Sequence, residues 1–166
     1  ILKKSGVKLF IYKPNNKNYF DKKEFLLLKK NKVIFIISPN NTHFKYIQTL
    51  SKNRYIFCEK PPVNSKKELN KLEKINKNKM YFNYNTRFSK LSNLLKIKNK
   101  FKLGKLVYAN FITGHGLALK KEYAGSWRSD KKLCPKGVFE IMSIHIIDLI
   151  NFHFKIRKIE KPSLVR

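Results

Sequence analysis

Acidic residues are scarce in this chain: ten Asp and Glu stand against 38 Lys and Arg in 166 residues. Cysteine is limited to Cys58 and Cys134, which set neither a disulfide framework nor a zinc spacing. No apolar run approaches the ~18 residues that a membrane span requires. The opening Ile1-Leu2-Lys3-Lys4 lacks the charged-then-apolar order of a signal peptide. These absences leave a protein of the reducing cytoplasm, with no membrane association and no metal site. Glycine occurs only six times, and no Gly-x-Gly-x-x-Gly segment is present. Backbone amides at a helix N-terminus, reached over such glycines, are what cradle a pyrophosphate, and nothing in this chain supplies them. Gly114-His115-Gly116 is no substitute, because Leu119 stands where the third glycine would be.

The excess of base gives a net charge of +28. A large positive charge invites a nucleic-acid reading. Here the excess runs the whole length of the chain instead of forming one block. Arginine, the residue suited to bidentate phosphate and base contacts, accounts for only five of the 38 bases. Abundant Lys, Asn, Ile, Phe and Tyr are the products of A/T-rich codons, which explains the lysines without a phosphate-binding face. The charge alone implies weak, salt-sensitive binding to polyanions and no specific nucleic-acid partner.

What is present is an alternation of apolar runs and amphipathic stretches. Val7–Tyr12 reads as a short strand, and Asp21-Lys22-Lys23-Glu24 caps a helix to about Lys30. Val33–Ser38 is a continuous β-branched and aromatic run, the mark of a strand buried on both faces. A helix follows from Asn41 or Thr42 to about Lys52, then a buried strand over Arg54–Cys58. Ser65 with Glu68 caps a helix to about Asn76, and Met80–Tyr84 is the next strand. Strands alternating with helices imply a parallel sheet with crossovers. Beyond Arg87 the pattern changes. A helix over Lys90–Lys100 precedes a longer strand from Leu106 to about Thr113, a loop over Gly114–Lys136, and a helix from Val138 to about Phe154 that is apolar on nearly all sides. The tail from Ile156 reads as the start of another strand.

The fold class is therefore α/β: a partial Rossmann-like parallel sheet, followed by part of an α+β domain with an open sheet. Residues 1–86 form the first unit and residues 87–166 the second.

One segment stands out chemically. Cys58-Glu59-Lys60-Pro61-Pro62 follows the apolar run Tyr55-Ile56-Phe57. Open α/β sheets bind ligands outside the carboxyl ends of their strands, so a lysine fixed there by proline is a candidate for chemistry. Of the ten acids, Glu59, Asp130, Glu140 and Asp148 lie in segments of this kind.

Several motifs, in order, resemble the glucose-fructose oxidoreductase/inositol dehydrogenase/MocA (Gfo/Idh/MocA) family of NAD(P)-dependent oxidoreductases. Ser38-Pro39-Asn40-Asn41-Thr42-His43 resembles its strand-end Thr/Ser-Pro-Asn-x-x-His, and Glu59-Lys60-Pro61 its Glu-Lys-Pro. Asn85-Thr86-Arg87-Phe88 resembles its Asn-x-Arg-Phe, Leu103-Gly104-Lys105 its Leu-Gly-Lys, and Trp127-Arg128-Ser129-Asp130 its Trp-Arg-x-Asp. Gly137 to Asp148, containing His145, resembles its Gly-x-His-x-x-Asp helix.

The resemblance implies a hydride exchange between NAD or NADP and a carbinol carbon of a sugar, sugar nucleotide or polyol. It assigns Lys60 and His145 to catalysis. Ser38, Pro39, Asn40, His43, Glu59, Lys60 and Pro61 fall to the cofactor, and Asn85, Arg87, Trp127, Arg128, Asp130 and Asp148 to the substrate. Each has a plainer alternative: a surface lysine, a core histidine, a helix cap, a packing tryptophan, a local Arg128–Asp130 ion pair. The resemblance further implies a homo-oligomer. Two departures stand out. The phosphate loop is missing, so the chain reads as a fragment, truncated at both ends, that binds NAD(P) poorly on its own. Ile141 occupies the position four before His145 where many members carry Asp, and the nearest acid, Glu140, is five back. A non-catalytic Rossmann-derived domain that binds sugars or a protein is the alternative.

Overall fold

Three short runs rich in β-branched and aromatic residues make the sheet: β1 (Val33–Ile36), β2 (Tyr55–Cys58) and β3 (Met80–Phe82). They are parallel and adjacent in the order β1-β2-β3, with Val33 opposite Tyr55 and Ile56 opposite Met80. This computed structural model describes residues 6, 11–12, 28, 30–75, 78–97, 107–112, 114, 116–137, 139–154 and 158. The strand expected over Val7–Tyr12, the helix before Lys30 and the tail strand from Ile156 lie largely outside the described residues, as does Leu103-Gly104-Lys105.

The connections are helical, as the alternating pattern predicts. After β1 a 3-10 turn (Asn40–Thr42) runs straight into α1 (His43–Leu50). After β2 comes α2 (Lys66–Glu73). Ser65 caps α2, its hydroxyl accepting from the Glu68 amide at 3.2 Å while the Glu68 carboxylate accepts from the Asn64 amide at 2.7 Å. The first bond satisfies one of the amides a helix start leaves bare, and the second ties the residue before the cap to the first turn. Ile34, Ile36, Ile47, Leu50, Ile56 and Leu72 form the core between β1, β2 and these two helices. Full burial of Ile47 and Ile56 stabilises the fold by about 1.5–3 kcal/mol per side chain.

Among the described residues the sheet is covered on one face, not on both as its continuous apolar runs imply. Val33, Phe35, Tyr55, Phe57 and Tyr81 are exposed among the described residues. Phe35, Phe57 and Tyr81 stack across the strands at ring separations of 5.0 and 4.9 Å. The reason is topological. Strands that step in one direction through right-handed crossovers place successive helices on the same side.

After β3 a 3-10 turn (Asn85–Phe88) leads into α3 (Lys90–Lys96), capped by Ser89. The strand expected over Leu106–Thr113 is not seen: residues 107–112 have no regular structure, and Val107, Tyr108 and Ile112 are exposed. A strand requires a neighbour for its amides and carbonyls, and none among the described residues pairs with it. The expected loop over 114–136 contains a 3-10 turn (Gly116–Leu119) and one helical turn, α4 (Lys121–Ala124). The last helix begins with a π-helical turn (Phe139–Ser143) and continues as α5 (Ile144–His153). No helix among the described residues is long and apolar enough to cross a membrane.

Candidate active site

Because the three strands are parallel, their carboxyl ends share one edge, and the turns that leave them form one crevice. The sheet ladder extends into those turns. The Glu59 amide donates to the Ile36 carbonyl at 3.0 Å and the Asn83 amide to the Cys58 carbonyl at 2.9 Å. Ser38-Pro39-Asn40, Glu59-Lys60-Pro61 and Asn83 are therefore placed relative to one another by backbone geometry.

The first turn is held by its own polar groups. The Ser38 and Thr42 hydroxyls are 2.6 Å apart, and Thr42 Oγ1 donates to the Pro39 carbonyl at 2.7 Å. His43 is fully buried, with Nδ1 2.8 Å from the Pro61 carbonyl and Nε2 2.8 Å from the Ser38 carbonyl. It ties the end of β1 to the turn after β2. Asn40 is buried, and its Nδ2 has no hydrogen-bond partner. A buried amide donor left open is costly. Pro61 follows a cis peptide.

Glu59 accepts from Asn83 Nδ2 at 2.6 Å. Asn83 falls inside the strand expected over Met80–Tyr84, but β3 ends at Phe82, which frees Asn83 to face this turn. Lys60 is half-buried and donates through Nζ to the Ile141 carbonyl, 81 positions along the chain. Desolvation lowers its pKa from the usual lysine value. Glu59 opposes that shift, Arg128 adds to it, and Cys134 and Glu140 oppose it. The last four groups come from the second half of the chain or from the same turn, so Lys60 sits where the two halves meet.

His145 stands beside it. Burial, then the charge of Lys60, lowers its pKa below 6.5, while Glu59 and Asp148 pull it back. Its Nδ1 is buried without a partner. The folded-state pKa is depressed, so the unfolded chain binds the proton first as the pH falls. The associated stability is fully present above pH 6.5 and is lost as the pH drops through the folded-state value. Stability is expected to fall below about pH 6.5 for this reason, and a His145→Gln protein should lose that part of the acid sensitivity. Urea midpoints at successive pH values measure it, and parallel pH profiles for both proteins would refute it.

The remaining residues fall into two groups. Arg87 donates to both carboxylate oxygens of Asp148, from Nε at 2.7 Å and Nη2 at 2.5 Å, and lies over the rings of Tyr84 and Phe152. These two charges satisfy each other and fasten the turn after β3 to α5. Trp127 is stacked with Arg128 at 4.7 Å. Trp127 and Asp130 line a shallow open depression with Ser126, Ser129 and Leu133. Asp130 accepts from the Lys132 amide at 2.7 Å and organises that turn; no Arg128–Asp130 ion pair is found among the described residues. Asn85 is exposed, its Oδ1 3.5 Å from the Thr86 hydroxyl.

Two buried groups were not singled out from the sequence as site residues. Cys134 has its thiol pushed up to about 12 by burial, by a hydrogen bond to Glu140 and by that residue's charge. Glu140 is 4% exposed, and its Oε1 has no partner. Cys58, also buried, is pushed up to about 12 by desolvation and then by Glu59, which makes it inert as a nucleophile. No cluster of three or more His, Cys, Asp or Glu among the described residues could hold a metal ion.

Comparison with known proteins agrees with the resemblance. No curated protein matches the chain. Among solved structures, the WlbA (WbpB) dehydrogenase from Thermus thermophilus, determined with NAD and alpha-ketoglutarate, shares the fold at a TM-score of 0.60 and 20% identity. The match covers 81% of this chain but only 46% of that dehydrogenase. Residues 4–84 match the sequence profile described as "Oxidoreductase family, NAD-binding Rossmann fold". That profile is the Gfo/Idh/MocA one, so residues 4–84 are similar to the NAD-binding Rossmann unit of that family, whose cofactor class is NAD or NADP.

Proposed function

We propose that the protein carrying this chain is an NAD(P)-dependent dehydrogenase or reductase acting on a carbinol carbon of a sugar, sugar nucleotide or polyol. The observation that carries this reading is Lys60 at the carboxyl edge of the sheet, anchored on a carbonyl of the π-helical turn that leads into the helix of His145.

The residues present fit the nicotinamide half of the cofactor. The unpartnered Asn40 Nδ2 suits a carboxamide or ribose oxygen, and Glu59, oriented by Asn83, suits ribose hydroxyls. In this reading Ser38, Pro39 and Pro61 would line the nicotinamide end, with His43 holding their two turns together. When bound, NAD(P) supplies the hydride acceptor or donor.

The chain's own residues manage the oxygen. Turning a carbinol into a carbonyl removes a proton from that oxygen as hydride leaves carbon. An ammonium beside the oxygen stabilises the alkoxide character that develops. An imidazole kept neutral near pH 7 by burial and by Lys60 accepts the proton and returns it in the reverse direction. Trp127, Arg128, Asn85 and Asp130 would receive the rest of the substrate, Trp127 by stacking and Arg128 through a carboxylate or hydroxyl cluster. Asp148 and Arg87 would act on it by fixing α5 and the turn after β3. In this reading the intact protein is a cytoplasmic homo-oligomer.

Titration with NADH and NADPH, followed by nicotinamide fluorescence, tests the proposal. Saturable binding is expected for the protein that carries the chain, weakened about tenfold in Asn40→Ala by loss of one hydrogen bond worth ~1–1.5 kcal/mol. No binding to either nucleotide would sink the proposal in favour of a fold retained for binding sugars or a protein.

A further inference from the structure

His43 is the first residue of α1, and its ring is fully buried. Each ring nitrogen reaches a different strand-end turn. Nδ1 lies 2.8 Å from the Pro61 carbonyl, 18 positions along the chain, and Nε2 lies 2.8 Å from the Ser38 carbonyl. A carbonyl oxygen only accepts, so each link is a donation from the ring, and both at once use a proton on each nitrogen. A polar ring is tolerated at this depth because both of its nitrogens are satisfied.

The two turns depend on these links unequally. The turn after β1 has bonds of its own: the Ser38 and Thr42 hydroxyls are 2.6 Å apart, and the Pro39 carbonyl accepts from Thr42 Oγ1 at 2.7 Å and from the Thr42 amide at 2.9 Å. In the turn after β2, Pro61 and Pro62 have no N–H to donate. The Pro61 carbonyl is held from outside that turn, by Nδ1 of His43. It lies one residue beyond Lys60, whereas the Ser38 carbonyl lies two residues before Asn40.

We infer that His43 is a positioning residue with two separable roles: Nε2 sets the turn that carries Asn40 and with it cofactor affinity, and Nδ1 sets the turn that carries Lys60 and with it turnover. The ring itself touches neither cofactor nor substrate. The effects on affinity and turnover rest on the dehydrogenase reading above; the two links do not.

The test separates the two nitrogens. Glutamine carries its amide nitrogen at the reach of Nε2 and asparagine at the reach of Nδ1, so each variant keeps one link and drops the other. Amide hydrogen exchange, followed by NMR on nucleotide-free protein, reads the links without any turnover. His43→Gln is expected to speed exchange of the Glu59 amide about tenfold, with the Thr42 amide within about twofold of wild type. His43→Asn is expected to speed exchange of the Thr42 amide about threefold, less because that turn keeps its own bonds, with Glu59 within about twofold. Both variants lose the ring alike, so an equal change in the two turns overturns the inference, as does no change in either. If a variant does not fold, the wild-type ring decides. At about pH 6 each ring nitrogen should carry a slowly exchanging proton, and rapid exchange at either nitrogen overturns the inference. In turnover, His43→Gln is expected to lower kcat about ten- to hundredfold with a smaller effect on NADH affinity. His43→Asn is expected to weaken NADH about threefold with a smaller effect on kcat. The opposite split overturns the inference. Wild-type protein that binds neither NADH nor NADPH counts against the dehydrogenase reading, and the exchange pattern then decides the inference alone.

Discussion

Lys60→Met is expected to lower kcat by about two to four orders of magnitude while leaving NADH affinity within a few-fold of wild type. The magnitude combines two effects: loss of a cation aimed at developing alkoxide and loss of a participant in proton transfer, each worth about 10²-fold or more. Methionine keeps the length and apolar stem of lysine, so the packing of the Glu59–Pro61 turn is preserved and only the ammonium is lost. The side chain is half-buried and anchored on the Ile141 carbonyl, which places the charge at one point in the crevice instead of sweeping through solvent. Steady-state kinetics beside a fluorescence titration separate the two quantities. A variant that binds nucleotide poorly but turns over normally would move Lys60 from chemistry to cofactor binding. A variant normal in both would leave it as an interdomain tether.

The sheet was legible in the sequence because Val33–Ile36 and Tyr55–Cys58 are short, apolar and bounded by Pro, Asn or a capped helix, signals that belong to the strand itself. Whether a second face is covered depends on chain elsewhere, and a continuous apolar run carries no information about it. The open side bearing Phe35, Phe57 and Tyr81 is a product of crossover handedness. The failure at residues 107–112 has the same origin, since Val107-Tyr108 and Phe111-Ile112 have strand-like composition but lack a partner among the described residues.

In the site, Lys60 and the Ser38–His43 turn could be found because strand ends and proline are punctuated locally. The bond of His43 to the Pro61 carbonyl could not, because nothing in either segment refers to the other. The π-helical turn around Glu140 was hidden for a different reason. The stretch Val138–Ile150 is apolar almost throughout, so its periodicity cannot reveal one extra residue in a turn.

The pair Arg87–Asp148 supplies the second large effect, and it should be asymmetric. Asp148 is 10% exposed at its side chain and Arg87 38% exposed. Removing Arg87 strands a carboxylate that water can hardly reach, and it also removes the cation lying over Tyr84 and Phe152. Removing Asp148 leaves a guanidinium that can turn partly into solvent. Breaking a buried pair from one side costs about 3–5 kcal/mol, whereas exposed pairs are worth under ~1 kcal/mol. Arg87→Met is therefore expected to lose about 3 kcal/mol of unfolding free energy and Asp148→Asn about 1–2 kcal/mol. Urea denaturation of both single variants and the double variant measures the difference and the coupling between them. Because the pair joins the turn after β3 to α5, the helix that carries His145, a lost clamp should also slow turnover through misplacement of His145. Equal losses from the two single variants would mean that Arg87 is desolvated as fully as its partner. Negligible stability losses with impaired substrate binding would mean that the two charges serve the substrate directly and pair only in its absence.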